Sequence, residues 1–270
     1  MKRKRNNKKE MPFLEHLEEL RWRIIKCLTS IILLSIAAFP LTTMFLTILT
    51  ASNARLPHPA KLVFLKPTAM IMIRMEISIA AGLIGSLPVV VYQVWRFVAP
   101  GLLTKEKRTV FPLILITFFC FAIGALFAYW VIIPVMLPFL FSMGTRFIEP
   151  VININDYLSF VLRLIIALGL MFEMPVAAFF LARIGLITGR LLKRIWRTSV
   201  VVIFILAAAI TPTVDPVNMT IFALPLLLLY AVSTAVASAA EKKRKGKNGN
   251  SVLPSRRTAK KKKSSKSKKA

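Results

Sequence analysis

Carboxylates are scarce in this 270-residue chain, and their positions give the first indication of its chemistry. The sequence holds 11 Asp and Glu against 38 Lys and Arg, for a formal net charge of +27. Three glutamates nevertheless stand together in the stretch EHLEELRWR at residues 15–23, immediately before the first long apolar run. Such a cluster predicts either the ordinary charges of a solvated helix or an acidic site for a cationic partner.

Helical spacing within this stretch places Glu15, Glu19 and Arg23 along one stripe, with Glu18 facing Trp22. An ion pair between Glu19 and Arg23 at i,i+4 is therefore expected, and such pairs contribute only about 0.3 kcal/mol on an isolated helix. Spacing alone favours this intrahelical pair over a binding site, and it does not decide between the two.

A second carboxylate stands alone among cations further along the chain. In YQVWRFVAPGLLTKEKRTV, Glu106 is surrounded by Arg96, Lys105, Lys107 and Arg108. It balances charge in an exposed loop, or it forms a site together with Glu19 on the same membrane face. If the fold brings the two carboxylates together, each could hold one guanidinium of a peptide with paired arginines. Arginine suits such a site because its planar fork can bond a carboxylate bidentately.

Charged residues also occur inside the apolar segments, where they are costly and by default mark a function or a polar interface. They are Arg74, Glu76, Arg163 and Glu173. The first three can snorkel towards a segment end. Glu173, in GLMFEMPV, is near the middle of its segment and too short to do so, which predicts a functional contact or a buried hydrogen bond. Pro175 is expected to kink this helix and free a backbone carbonyl.

Catalytic chemistry has little support in the sequence. The chain contains two histidines, His16 and His58, and no nucleophile motif, glycine-rich phosphate loop or metal-spaced cluster. Cys27 and Cys120 lie inside apolar runs, which argues against a disulfide framework. We expect a protein that is not an enzyme and that has no cofactor or metal. An intramembrane protease would require a Ser–His pair that the sequence does not suggest.

The elements that must position these residues are long apolar segments. Hydrophobic residues make up 56% of the chain, which exceeds the usage of water-soluble domains. Six segments can be marked, of which the first four exceed the roughly 20 residues that cross a bilayer. The fifth is short, and the turn TPTVDP leads from it into the sixth. The segments cover residues 24–49, 69–94, 110–141, 157–187, 198–211 and 217–239.

Basic residues indicate how the segments are oriented. Lys and Arg concentrate before residue 24, between 94 and 110, between 187 and 198, and after 239, whereas the alternate connections are poorer in them. The positive-inside rule then places both termini in the cytoplasm with six crossings. The connections 50–68 and 142–156 are expected to fold over the outer face. This predicts an all-α integral-membrane domain at residues 11–240 after a basic extension at 1–10.

The C-terminal tail, residues 241–270, holds 14 of the 38 Lys and Arg. Dense like charge with few apolar residues predicts disorder. Its role is either that of a solvated topological anchor or that of an attraction site for anionic lipid or RNA.

Four stretches in order along the chain resemble the TatC family, the multi-spanning core component of twin-arginine protein translocation. They are FLEHLEELRWR, LPVVVYQVWRFVAPGLLTKEKR, GLMFEMPV and ITPTVDP, and the resemblance runs over roughly residues 11–237. It implies a glove-like, concave bundle of six transmembrane helices, with short helices five and six and both termini inside. It also implies a receptor in the plasma membrane that binds the twin-arginine signal peptides of folded cargo. Export would use the proton-motive force, within a multimeric complex with single-span partners of the TatA/TatB type.

The same resemblance assigns residues to two sites. The signal-peptide site comprises Glu19, Arg21, Gln93, Phe97, Glu106, Lys107 and Arg108. An intramembrane polar patch, where single-span partners dock, comprises Glu173 and the turn acid Asp215. An alternative reading is a six-helix ion or small-solute transporter with Arg74, Arg163 and Glu173 along its pathway. Such transporters often carry inverted repeats, and no internal repeat is evident.

Overall fold

The computed structural model describes residues 13–56, 59–98, 110–142, 151–211 and 215–249, and this part of the chain is mostly helical. Its elements follow the order of the chain. They are α1 (Phe13–Ala38), a 3₁₀ turn (Phe39–Leu41), α2 (Thr42–Ala54), β1 (Lys61–Val63), α3 (Ala69–Val98), α4 (Val110–Phe127), a π-helical turn (Ala128–Ile132), α5 (Ile133–Ser142), β2 (Val151–Asn153), α6 (Ile154–Met171), α7 (Met174–Ile184), α8 (Gly189–Arg194), α9 (Trp196–Ile210) and α10 (Pro216–Gly249).

Within the described ranges, five helical runs are long and apolar enough to cross a membrane. They are Leu17–Ala54, Ala69–Val94, Ile114–Ser142, Ile154–Ile184 and Pro216–Lys242. They correspond to five of the six predicted segments. The remaining segment is α9, a shorter apolar helix of 15 residues. These helices make the chain a multi-pass membrane protein.

Prolines account for two interruptions in the long runs. Pro40 is the second residue of the 3₁₀ turn Phe39–Leu41, between α1 and α2. The helical run Ile154–Ile184 breaks between Met171 and Met174, immediately before Pro175. Proline has no N–H to continue the helical ladder, and its ring clashes with the preceding turn. The break expected at Pro175 is therefore present, and it leaves Glu173 in a turn between two helices.

The chain divides into two compact units. Unit 1 consists of Met1–Glu173 and Val202–Leu226, and unit 2 consists of Met174–Val201 and Leu227–Ala270. In unit 1, α3 packs against α1, α4 and α6. The helices approach closely where glycines lie: a Cβ on Gly82 of α3 would be 2.7 Å from the Cα of Ser35 on α1. A Cβ on Gly169 of α6 would be 2.5 Å from the ring of Phe121 on α4.

A short parallel pairing, β1 with β2, was not expected from a sequence that reads as all-helical. Lys61 pairs with Val151, and Val63 pairs with Asn153. The two connections that were expected to fold over one face are therefore joined to each other by backbone hydrogen bonds. Apolar and β-branched residues favour this local extension, but the pairing itself links positions 90 residues apart.

Neutral hydrogen bonds fix the ends of the helices near this pairing. The side chain of Asn53 donates to the carbonyl of Ala60 (2.9 Å) and accepts from its N–H (3.1 Å). The hydroxyl of Tyr157 donates to the carbonyl of Leu49 at 3.0 Å, and that of Tyr129 donates to the carbonyl of Ile48 at 2.6 Å. This region of unit 1, around β1, β2 and the start of α6, is referred to below as the strand end.

In unit 2, small residues let α7 and the second half of α10 approach each other. Ala178, Ala182, Ala237 and Ala240 form a buried cluster. Helix α10 continues to Gly249, past the boundary predicted at residue 241. Glutamate, lysine and arginine, which are good helix formers, favour this extension. Residues 250–270 lie outside the described part.

Candidate functional site

The best-defined charged contact in unit 1 joins Glu19 and Arg23 on α1. Arg23 Nε donates to Glu19 Oε1 at 3.1 Å, and its Nη2 donates to the same oxygen. The two side chains are only 11% and 24% exposed, for Arg23 and Glu19 respectively. The pair predicted from i,i+4 spacing is therefore present, and it is more sheltered than an ordinary surface pair.

Arg23 also reaches the neighbouring helix. Its Nη1 donates to the backbone carbonyl of Gln93 on α3, at 3.4 Å. The whole residue is 9% exposed, because its aliphatic stem is covered while the guanidinium finds acceptors on both helices. One arginine thus links the first turns of α1 to the last turns of α3. This contact could not be read from the sequence, since the two residues are 70 positions apart.

The other predicted site residues take different positions around this link. Gln93 and Phe97 lie one turn apart near the end of α3, where i,i+4 spacing puts them on the same helix face, and both are half-buried. Arg21 is exposed on α1, as is Glu18. Glu106, Lys107 and Arg108 lie outside the described residues, so their expected approach to Glu19 stays a prediction.

This arrangement has a definite chemical capacity, because the Glu19 carboxylate already accepts a guanidinium. Both donating nitrogens of Arg23 bond the same oxygen, Oε1, so the pair does not use the two-oxygen geometry of a bidentate arginine–carboxylate contact. An incoming arginine must therefore share Glu19 with Arg23 or replace it. Among the described residues, no group of three or more His, Cys, Asp or Glu side chains could hold a metal ion.

The two carboxylates inside the apolar runs of unit 1 differ in their surroundings. Glu76 on α3 accepts a hydrogen bond from the hydroxyl of Ser159 on α6, at 2.7 Å. Glu173 lies in the turn after α6, with Thr117 and the backbone of Phe121 beside its carboxyl group. Its Oε1 is buried and accepts no hydrogen bond from any described residue. A buried carboxylate oxygen without a donor is costly, and a partner could supply one.

Asp215 is the N-cap of α10, a role that the sequence analysis missed. Its Oδ1 accepts the backbone N–H of Asn218 at 2.8 Å, and its Oδ2 accepts the Asn218 side-chain amide at 2.9 Å. Asn218 is fully buried. The sequence itself indicates this cap, because an Asp followed by a proline at the first helical position is typical of a helix start.

The cations assigned to the alternative transporter pathway form no ion pair within the described part of the chain. Arg163 is exposed on α6 and Arg74 is half-buried on α3. Within the described ranges, neither arginine forms an ion pair with Glu173.

Comparison with known proteins gives a consistent result. The model of the family described as Sec-independent protein translocase protein (TatC) matches residues 15–225. A protein of that name from Aquifex aeolicus (strain VF5) is 37% identical over 237 residues, covering 87% of this chain and 98% of its own length. One from Koribacter versatilis (strain Ellin345) is 41% identical over 239 residues, covering 85% of this chain and 86% of its own length. A crystal structure of a twin arginine translocase receptor, TatC, aligns with a TM-score of 0.76 at 36% identity and covers 83% of this chain and 99% of that chain.

Proposed function

Because the chain belongs to the TatC family of Sec-independent protein translocase proteins, we propose that it is the receptor of a twin-arginine translocase. It binds twin-arginine signal peptides at the cytoplasmic membrane face and passes folded cargo to a translocation assembly. The relatives named above are described as translocase proteins. The proposed role of this chain is therefore binding, and it includes no catalytic step.

One observation carries the receptor role: the Glu19 carboxylate holds a guanidinium in a sheltered position near the start of α1. Arg23 occupies that carboxylate and also contacts the Gln93 carbonyl. When the first peptide arginine approaches, Arg23 keeps Gln93 as an acceptor and shares Glu19 with the newcomer. Each guanidinium then has the Glu19 carboxylate as a charged partner, so that no buried charge is left unpaired.

The remaining site residues complete the receptor. Glu106 receives the second peptide arginine, Lys107 and Arg108 orient the loop, and Arg21 keeps the local field positive around the acidic pair. Phe97 lies on the same helix face as Gln93 and supplies an apolar contact for the peptide. Lysine cannot substitute well for either peptide arginine, because it presents a point charge instead of a planar fork.

The membrane arrangement extends this proposal. Helix α9 is counted as a sixth crossing, which puts both termini in the cytoplasm of a plasma-membrane protein. Single-span partners of the TatA/TatB type dock at the polar patch of Glu173 and Asp215, where Glu173 Oε1 accepts a partner donor. The assembly is multimeric and uses the proton-motive force. The tail at residues 241–270 contributes an attraction to anionic lipid.

Site-specific crosslinking tests the proposal. Phe97 is replaced by a photoreactive phenylalanine analogue in the full chain, in inverted membrane vesicles, and a twin-arginine peptide is added. The same analogue at Phe64, an exposed aromatic just after β1, serves as the control. We expect a crosslink at position 97 that a twin-arginine competitor abolishes and a twin-lysine competitor does not. Equal crosslinking at position 64, or equal competition by both peptides, would contradict the receptor role.

A further inference from the structure

Unit 2 presents a dense group of exposed cations between α7 and α9. We call residues 186–197 the basic corner; it comprises the end of the turn after α7, the short helix α8 and the first residues of α9. Four of its side chains are exposed cations, Arg190, Lys193, Arg194 and Arg197. Lys242 on α10 is a further exposed cation of this unit. Only Glu241 offsets them among these residues, so five cations and one carboxylate leave a charge of +4.

Large apolar side chains are exposed between these cations. Leu186 is 68% exposed, Leu191 and Trp196 are each 43% exposed, and Ile195 is 40% exposed. A segment that faced only water would have no reason to display four large apolar groups within eleven residues. Alternating cations and apolar or aromatic groups are typical of segments that lie in the interface of a bilayer.

The basic corner is held in place by α10. The Gly189 N–H donates to Glu241 Oε2 at 3.2 Å, and a Cβ on Gly189 would lie 2.8 Å from the Cα of Ser238. The Tyr230 hydroxyl donates to the carbonyl of Leu192 at 2.7 Å, and the Tyr230 ring contacts that of Trp196 at 5.7 Å between centroids. The cations therefore project from a fixed backbone and not from a loose loop.

The ends of the apolar runs locate the corner relative to the bilayer. The apolar run Ile154–Ile184 ends just before the basic corner, and the apolar run Pro216–Lys242 ends at Lys242. Helix α9 begins within the corner, at Trp196. Gly185 closes α7 in the left-handed conformation, with φ 87°, and redirects the chain. Two apolar runs end and one begins at this corner, which is the level at which lipid headgroups replace hydrocarbon.

We propose that the basic corner binds the phosphate groups of anionic phospholipids. The cations pair with the headgroups, while Leu191, Ile195 and Trp196 insert among the acyl chains next to them. A bilayer is the occupant that satisfies both halves of the surface, because a soluble polyanion such as RNA would leave the apolar side chains in water. This site does not depend on signal-peptide binding and involves none of the residues assigned to it.

The test compares lipid selectivity of the full chain with two matched triple variants. The corner variant carries Arg190→Gln, Lys193→Gln and Arg194→Gln. The control variant carries Arg55→Gln, Lys61→Gln and Lys66→Gln, which removes three exposed cations from unit 1. Each protein is placed in nanodiscs of phosphatidylcholine with a minor share of spin-labelled phosphatidylglycerol or phosphatidylcholine, and the motionally restricted fraction of each label is measured. The Lys-rich tail is the same in all proteins and cancels in the comparison.

We expect the unaltered chain and the control variant to restrict phosphatidylglycerol several-fold more than phosphatidylcholine, and the corner variant to lose most of that preference. A charge-conserving variant, Arg190→Lys with Lys193→Arg and Arg194→Lys, should retain it, which separates headgroup binding from a folding defect. Equal preference in the corner and control variants would overturn the proposal. So would loss of the preference on addition of RNA, which would identify a soluble polyanion as the occupant.

Discussion

The two ends of unit 1 are stabilised by different kinds of contact. At the strand end, α2, β1, β2 and α6 are joined by neutral hydrogen bonds, such as those between Asn53 and Ala60. Even the carboxylate of Glu76, on the neighbouring part of α3, is bound by the neutral hydroxyl of Ser159. At the other end, α1 and α3 are joined by Arg23, which is shared between the Glu19 carboxylate and one backbone carbonyl.

The difference indicates which end can change partners. Neutral hydrogen bonds between buried groups are costly to break, because each freed group loses its only partner. A carboxylate that already binds one guanidinium can be shared with a second arginine, because Arg23 also keeps the Gln93 carbonyl as an acceptor. We therefore assign structural support to the strand end and ligand exchange to the end that carries Glu19.

Breaking the strand end should have the largest effect on stability. Asn53→Ala removes two hydrogen bonds and leaves the N–H and carbonyl of Ala60 unpaired, at a cost of about 3 kcal/mol in unfolding free energy. Chemical denaturation of the purified chain measures this. Thr47→Ala, which removes one exposed local bond, is the control and should change little. Peptide affinity of the folded Asn53→Ala protein should be unchanged, and a large fall in it would remove the distinction between the two ends.

Separating α1 from α3 should have the next largest effect. A Cβ at Gly82 would lie 2.5 Å from the backbone nitrogen of Ser35, which cannot move without shifting α1. Gly82→Ala should therefore destabilise the protein by about 2 kcal/mol and weaken peptide binding by moving Arg23 away from Gln93.

Gly85→Ala is the matched control on the same helix. Its new methyl would have only Leu34 Cδ1, at 3.8 Å, as a neighbour. Alanine favours helix more than glycine does, so this variant should be as stable as the parent or more so. If thermal unfolding shows both glycine variants to be equally destabilised, the close approach of α1 and α3 at Gly82 is not what holds these two helices together.

Removing the hydroxyl that binds Glu76 should have a smaller effect. Ser159→Ala leaves a half-buried carboxylate without this donor and should cost about 1 kcal/mol. Ser142→Ala, which loses an exposed local bond, is the control for denaturation measurements. An unchanged stability of Ser159→Ala would show that the Glu76 contact is not part of the support at the strand end.

At the end of unit 1 that carries Glu19, removing Arg23 should change the affinity for the peptide. Arg23→Gln frees Glu19 from its internal competitor and should raise twin-arginine peptide affinity about fivefold, equivalent to about 1 kcal/mol. Isothermal titration with the purified full chain measures this. Arg163→Gln removes an exposed arginine elsewhere in unit 1 and is the control. A lower affinity in Arg23→Gln would mean that Arg23 positions Glu19 for the peptide and does not compete with it.

Much of the fold could be predicted because a bilayer imposes a simple length rule. The long apolar runs, the short helix α9 and the break at Pro175 all follow from hydropathy and proline chemistry. The Glu19–Arg23 pair was also predictable, since it depends only on helical spacing.

Contacts between distant positions could not be predicted in the same way. The β1–β2 pairing and the bond from Arg23 to the Gln93 carbonyl depend on how helices are arranged, which periodicity does not encode. The continuation of α10 to Gly249 does not follow from charge density, which predicts disorder, because it depends on helix propensity. Asp215 was assigned to a partner contact by resemblance, while its own neighbours Pro216 and Asn218 already indicated a helix cap.

The most direct test of the central claim is the affinity of the full chain for a twin-arginine peptide and for its twin-lysine counterpart, before and after Glu19→Gln and Glu106→Gln. We expect the unaltered chain to prefer the twin-arginine peptide strongly and each substitution to remove most of this preference, with Glu18→Gln as an exposed control. Twin-arginine affinity that is the same in the unaltered chain and in both variants would contradict it.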